Sequence, residues 1–265
     1  MTKIALTIAG SDPSGGAGLQ ADLKTFHQLG VFGTSVITLL TAQNTEGVSH
    51  VELLSPDLIC RQLEAVLTDL PPAAAKTGAL GSAEIIEQVA HQASRFNFPL
   101  IVDPVMISKH GHPLLKESDV NSFRRYLLPH AFLITPNRLE ANQLTGMEIQ
   151  APGDCEAAIR RLHDLGAKNV LLKFGTYGSE SLTLLGTSDE IFTFFETRID
   201  SRSLHGTGCV LSASITARLA LQQPLIEAVQ AATRDVHRGI LSAPKIGNAF
   251  ENGTGFGPID MTFGG

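Results

Sequence analysis

The chain has 265 residues, 43% hydrophobic and 17% charged, enough to bury roughly 70–75% of its unfolded surface. This apolar content and a net charge of only -6 exclude a disordered polymer, and without a block of Lys or Arg neither nucleic acid nor an anionic membrane is expected as partner. Its three cysteines, Cys60, Cys155 and Cys209, are odd in number and far apart, which excludes a disulfide framework. No basic leader or long apolar run is seen, so a cytoplasmic protein is expected.

Strands are predicted at Lys3–Ala9, Thr34–Thr41, Val48–Leu53, Ala73–Thr77, Leu100–Asp103, Phe132–Thr135 and Val170–Lys173. Between them, helical patterns run over Gly18–Leu29, Pro56–Thr68, Ala83–Arg95, Asn137–Leu144 and Asp154–Leu165. From Glu180 to Thr197 the pattern changes to a hairpin turning at Gly186–Asp189, and helices near Gly208–Leu221 and Leu225–Leu241 close the chain. Continuous apolar strands alternating with helices predict an α/β fold in three layers, a mostly parallel central sheet with helices on both faces. No linker or repeat interrupts residues 1–265, and a single domain is expected.

Ligands of open parallel sheets gather at the carboxyl ends of the strands. The residues there are polar or glycine-rich: Gly10-Ser-Asp12, Gln43-Asn44, Gly78, Asp103, and Pro136-Asn137 with Glu140. Gly16-Ala-Gly-Leu-Gln-Ala21 formally matches a dinucleotide fingerprint. It stands too far beyond the predicted strand end at Ala9, and a loop closing over a flat ligand is the better reading. A nicotinamide-dependent dehydrogenase is therefore not expected.

His205-Gly-Thr-Gly-Cys209 precedes an apolar helix. Gly206 and Gly208 can aim consecutive amides inward, and the helix N-terminus adds about half a positive charge, so the turn can hold a phosphate or a phosphoryl group in transfer. A thiol at that terminus is expected to have a lowered pKa, making Cys209 a candidate base or a positioner of a substrate hydroxyl. Cys155, after an expected N-cap at Asp154, reads as structural, and Cys60 as core. His110 and His112 read as a solvated loop pair. Phosphoryl transfer needs positioning and charge neutralisation, usually with Mg²⁺, which takes only one or two carboxylates. Asp103 and Glu140 suit that role, and Lys173 can approach nucleotide phosphates. Neither a Walker A sequence nor a protein-kinase catalytic loop is present. The amide of Gln43 offers both a donor and an acceptor toward a ligand edge.

The ordered segments Ala9-Gly-Ser-Asp-Pro-Ser-Gly-Gly-Ala-Gly-Leu-Gln-Ala-Asp22, Thr41-Ala-Gln-Asn-Thr45, Lys76-Thr-Gly78, Val102-Asp-Pro-Val-Met106, Ile134-Thr-Pro-Asn-Arg-Leu-Glu140 and His205-Gly-Thr-Gly-Cys209 resemble the hydroxymethylpyrimidine/phosphomethylpyrimidine kinases, ribokinase-like enzymes of thiamine biosynthesis. The resemblance spans residues 3–258. It implies a ribokinase-like fold without a large lid, ATP and Mg²⁺ as cofactors, a homodimer, and phosphorylation of 4-amino-5-hydroxymethyl-2-methylpyrimidine and then of its monophosphate. By position it places Gln43, Gly10, Ala17, Asp22, Ala79 and Val105 around the pyrimidine, and Gly206, Thr207, Gly208 and Cys209 at the transfer site. Asp103 and Glu140 fall on the Mg²⁺ side, where the resemblance implies an ion held through water; Lys173 and Asn137 fall beside the nucleotide.

Two positions depart from the family pattern. Ala79 replaces a usual methionine over the pyrimidine, implying a wider pocket, and Phe174-Gly-Thr176 replaces a usual Gly-Gly-His. The wider pocket leaves a pyridoxal or pyridoxine kinase as the alternative enzyme. A ligand-binding regulator that no longer transfers phosphate is the alternative outside enzymology, disfavoured because Asp103, Glu140 and Cys209 are all present.

Overall fold

The computed structural model describes residues 2–264. The apolar runs predicted as strands come together in one nine-stranded sheet of order β3-β2-β1-β4-β5-β6-β7-β8-β9. Strands β1 (Ile4–Ser11), β2 (Phe32–Gln43), β4 (Ala74–Thr77), β5 (Leu100–Val102), β6 (Leu133–Ile134) and β7 (Val170–Tyr177) are mutually parallel. β3 (Val48–Leu53) folds back antiparallel on β2. The predicted hairpin forms the opposite edge, β8 (Glu180–Gly186) and β9 (Ile191–Thr197), its turn closed by Thr187 N–H donating to the Glu190 carbonyl at 2.9 Å.

Alternate residues of each central strand face opposite layers, as the two-residue period of a strand requires. Leu6, Ile8, Val102, Ile134 and Leu172 join one core with helices α2 (Pro56–Asp69), α3 (Ala83–Ala93), α5 (Arg138–Thr145) and α6 (Cys155–Asp164). Ala5, Ile101, Leu133 and Leu171 face the other layer, formed by α1 (Gly18–Gln28), α7 (Thr207–Ala220) and α8 (Leu225–Leu241). α7 is clasped between the sheet, α1 and α8, and its residues Val210–Ala217 are all buried.

Several boundaries have local chemical causes. Ser55 and Ser82 cap α2 and α3 by accepting from Leu58 N–H and Ile85 N–H. Asn137 caps α5 reciprocally with Glu140, the two-way capping box that satisfies orphan amides at a helix start. Asp154 does not cap α6 as expected: its carboxylate instead accepts Gln150 N–H and Ala151 N–H at 2.9 and 2.8 Å, closing the turn before the helix. Residues 117–130 form a segment that periodicity did not reveal. Short α4 (Val120–Ser122) runs into a wide turn at Phe123–Leu127, then a tight one at Leu128–His130, so no single period describes its buried side chains. A last short helix, α9 (Asn248–Glu251), was also not expected. Among the described residues no helix is long and apolar enough to cross a membrane.

Candidate active site

The chain runs from β1 outward to β2, then crosses back over β1 to β4, so the strand order reverses between β1 and β4. A crevice opens at such a reversal, outside the carboxyl ends of the strands. Here it is a cleft of about 910 Å³. Every residue that the resemblance places at the site lines it: Gly10, Ala17, Asp22, Gln43, Ala79, Asp103, Val105, Asn137, Glu140, Lys173, Gly206, Thr207, Gly208 and Cys209, whereas Asn44 and Pro136 at the same strand ends do not.

The loop after β1 is organised by Asp12. Its carboxylate accepts from Ser14 N–H, Ser14 Oγ–H and Ala17 N–H, each at 2.9 Å. Residues 12–17 therefore form a built loop between strand and helix, unlike a dinucleotide turn. Gly10 is glycine for lack of space, since a Cβ there would stand 2.6 Å from Leu39 Cδ1.

At the start of α7 only one glycine adopts the left-handed backbone. Gly206 has φ +86°, and a Cβ on it would collide with the Gly16 carbonyl oxygen. Gly208, expected to share that role, is instead helical. Its missing side chain leaves room for charge: a Cβ there would lie 3.6 Å from Lys173 Nζ and 3.7 Å from Asp103 Oδ2. The first intrahelical bond is Val210 N–H to the Gly206 carbonyl and Thr207 N–H turns back to the Leu204 carbonyl at 3.5 Å, so the Gly208 and Cys209 amides of the leading turn point ahead of the helix.

Asp103 is buried beside this turn, with Thr135 Oγ at 3.2 Å, Ser212 Oγ at 3.3 Å and Lys173 Nζ at 3.6 Å. Glu140 accepts Asn137 N–H through Oε2 at 2.8 Å. Burial pushes its carboxyl up to about 7, with Lys173 opposing and the Asp103 charge adding to the rise.

The thiol of Cys209 overturns one expectation. Burial pushes it up to about 12, against the help of Lys76 and the Gly18 amide, with Asp22 and Asp103 adding to the rise. The helix terminus does not outweigh desolvation among carboxylates, so Cys209 rests as a neutral thiol. Cys155 is wholly buried in the core as read, its thiol pushed up to about 11 by burial, whereas Cys60 is half-buried on α2 with Sγ 3.4 Å from Gln88 Oε1.

Two constellations went unread in the sequence. Lys76 Nζ pairs with Asp22 Oδ1 at 2.7 Å, and Thr7 Oγ–H donates to Asp22 Oδ2 at 2.6 Å, all fully buried beneath the cleft. Burial works against the Lys76 charge, but the carboxylates of Asp22 and Asp103 hold its ammonium above the ordinary range. Asp22 thus meets the cleft only as part of a buried ion pair. A polar residue inside an apolar strand, as in Ala74-Ala-Lys-Thr77, is the signal that marks it. The second links Asp12, His205 and Gln43: His205 Nε2 lies 2.8 Å from Asp12 Oδ2 and 3.2 Å from Gln43 Nε2. His110 is partly buried rather than a solvated loop side chain: its Nε2–H donates to the Thr45 carbonyl at 2.9 Å and its ring packs 5.5 Å from that of His205.

Of the departures, Ala79 lies in the cleft with its carbonyl accepting from Thr38 Oγ–H at 2.6 Å. Phe174 is buried with the Arg138 guanidinium 5.4 Å above its ring, and Gly175, at φ +94°, forms a bulge where β7 leaves its register with β8.

The profile of the phosphomethylpyrimidine kinase family matches residues 12–260. A Rhizobium meliloti protein named hydroxymethylpyrimidine/phosphomethylpyrimidine kinase is 44% identical over 265 residues, covering 98% of this chain and 97% of its own. The crystal structure of phosphomethylpyrimidine kinase from Clostridium difficile 630 superposes with a TM-score of 0.80 at 42% identity, covering 90% of this chain and 100% of that one. Pyridoxal kinase from Staphylococcus aureus in complex with AMP-PCP superposes with a TM-score of 0.90 at 33% identity, covering 100% and 95%. The fold is the ribokinase-like one expected from the sequence. With the ordered motifs, the cleft they line and a family match over nearly its whole length, the chain belongs to the phosphomethylpyrimidine kinase family.

Proposed function

We propose that the protein transfers phosphate from ATP to the hydroxymethyl oxygen of 4-amino-5-hydroxymethyl-2-methylpyrimidine, and then to the resulting monophosphate, in thiamine biosynthesis. The observation that carries this reading is the gap at Gly208. It lets the leading amides of α7, Lys173 Nζ and Asp103 Oδ2 converge on one small volume, with the Gln43 amide in the same cleft. An amide turn and an ammonium facing a shared space suit the equatorial oxygens of a phosphoryl group in transfer.

The substrate hydroxyl oxygen forms the new P–O bond as the bond to the nucleotide's bridging oxygen breaks, and the hydroxyl proton passes late to an oxygen of the transferred phosphoryl group. In such a loose transition state no strong base is needed. A neutral Cys209 thiol then serves by orienting the hydroxyl, which replaces the expected thiolate role. Gly206, Thr207 and Gly208 supply the amide turn, and Lys173 with Asn137 flanks the nucleotide phosphates.

Asp103 and Glu140 fit a Mg²⁺ ion held mainly through water. Glu140 resists ionisation partly because Asp103 is close, a conflict that a dication relieves. When bound, the ion held by these carboxylates would neutralise phosphate charge. Gly10, Ala17, Val105 and Ala79 enclose the flat ring above the Asp22–Lys76 pair.

The test is product analysis with ATP, Mg²⁺ and the hydroxymethylpyrimidine, with pyridoxal run in parallel. Mono- and diphosphate from the pyrimidine, at a rate above that on pyridoxal, are expected. ADP formed only with pyridoxal would transfer the assignment to a vitamin B6 kinase, and no ADP with either would leave a binding protein.

A further inference from the structure

The Gln43 amide lies between two groups that both constrain its orientation. One end is 3.2 Å from His205 Nε2 and the other 3.2 Å from Thr41 Oγ1. The same His205 Nε2 is 2.8 Å from Asp12 Oδ2. Asp12 is otherwise surrounded by donors, from Ser14 and Ala17. Burial opposes its charge, yet the hydrogen bonds from His205 and Ser14 hold its carboxyl below the usual range.

A ring nitrogen at that distance from a carboxylate must carry a proton, since two bare acceptors repel. His205 Nε2 is therefore a donor and has no lone pair for the NH₂ group of Gln43. Thr41 imposes the same requirement from the other side. Of the two acceptors facing its hydroxyl, the Ser11 carbonyl at 2.9 Å is nearer than the Gln43 amide at 3.2 Å, so its one hydrogen is assigned to Ser11 and its oxygen then accepts from Gln43. A half-turn about the terminal bond exchanges the two ends of an amide, and the sense with oxygen toward His205 and nitrogen toward Thr41 satisfies both neighbours. A third observation agrees. His205 Nδ1 is buried with no partner among the described residues, and placing the proton on Nε2 avoids burying an unpaired N–H.

We propose that Asp12 and His205 are positioning residues that lock the Gln43 amide with its oxygen on His205 and its nitrogen on Thr41. One N–H donor and the second lone pair of the oxygen are then left for the cleft at fixed places. An amide free to turn accommodates a ligand edge and its donor–acceptor inverse equally, whereas a locked amide selects one pattern. The choice of ligand rests on the pyrimidine-kinase reading, while the lock is a property of the ligand-free protein.

The protonation of His205 is read by ¹⁵N long-range NMR on histidine-labelled protein without ligand, its signal assigned from its loss in His205→Gln. A proton on Nε2 is expected, and a bare Nε2 overturns the proposal whatever the protein phosphorylates. This spectrum needs only the unsubstituted protein to be folded. Calorimetric Kd values for the hydroxymethylpyrimidine and its 4-oxo analogue, whose edge is inverted, then test the consequence. The unsubstituted protein is expected to favour the amino compound by roughly 10²-fold or more. Asp12→Ala, which leaves His205 Nε2 no carboxylate to donate to and so releases the lock, should shrink that ratio at least tenfold. An unchanged ratio with both ligands weakened alike means that Asp12 only shapes its loop, and refutes the lock. Protonated Nε2 with neither compound bound supports the lock and overturns the pyrimidine assignment.

Discussion

Replacing Lys76 with methionine removes the cation that pairs with Asp22 at 2.7 Å while nearly preserving the volume of the side chain. Both partners are fully buried, so no water enters to solvate the carboxylate left behind. Removing one member of a buried pair costs about 3–5 kcal/mol, most of it from the stranded charge. Burial already pushes the Asp22 carboxyl above its ordinary range even with Lys76 present, so without Lys76 it takes up a proton to fold. The sign follows. A carboxyl whose folded pKa is raised loses stability as pH climbs from its unfolded value through the folded one, at about 1.4 kcal/mol per pH unit for one proton. Lys76→Met should therefore be destabilised more at pH 8 than at pH 5. Urea unfolding at the two pH values measures this, and a fall in midpoint of about 1 M or more is expected at pH 8. Adding Asp22→Leu should restore much of the loss, because an apolar pair of similar size buries no charge. A single-variant cost below about 1 kcal/mol, or a double variant weaker than the single, would refute this account of the pair.

The two glycines of the α7 turn should separate stability from turnover. Gly208→Ala meets only ordinary contacts near Lys173 and Asp103, so it should fold normally while turnover falls roughly 10²–10³-fold, whereas Gly206→Ala should also lower the melting temperature. Glu140, with a carboxyl near 7 when folded against an ordinary 4.5, should make the ligand-free protein lose up to about 3 kcal/mol as pH rises between those values. Glu140→Gln, which can still accept from Asn137 N–H, should abolish that part of the slope in denaturation profiles. In native alkylation at pH 7.5 followed by peptide mass mapping, half-buried Cys60 should react first; Cys209, its thiol pushed up to about 12, should react far more slowly, and rapid labelling of Cys209 would contradict a neutral resting thiol.

Sequence by itself determined the strands, the helix pattern and the ends of the strands where chemistry gathers. These depend on periods of two and 3.6 residues and on local caps such as Asn137 with Glu140, all of which act within a few positions of the chain. It also marked the residues of the cleft, because loop residues at one sheet edge must meet once the sheet is parallel. Pairings across the fold lay beyond it. The Lys76–Asp22 pair joins β4 to α1, and the Asp12–His205–Gln43 chain joins three separate strand ends and turns. Such contacts have no sequence spacing to betray them. The ionisation of Cys209 was decided the same way: position at a helix start argued for a thiolate, but packing between sheet and helices removed the water that a thiolate needs. Local order thus followed from the chain's own periodicity, whereas charge states followed from what the folded layers exclude.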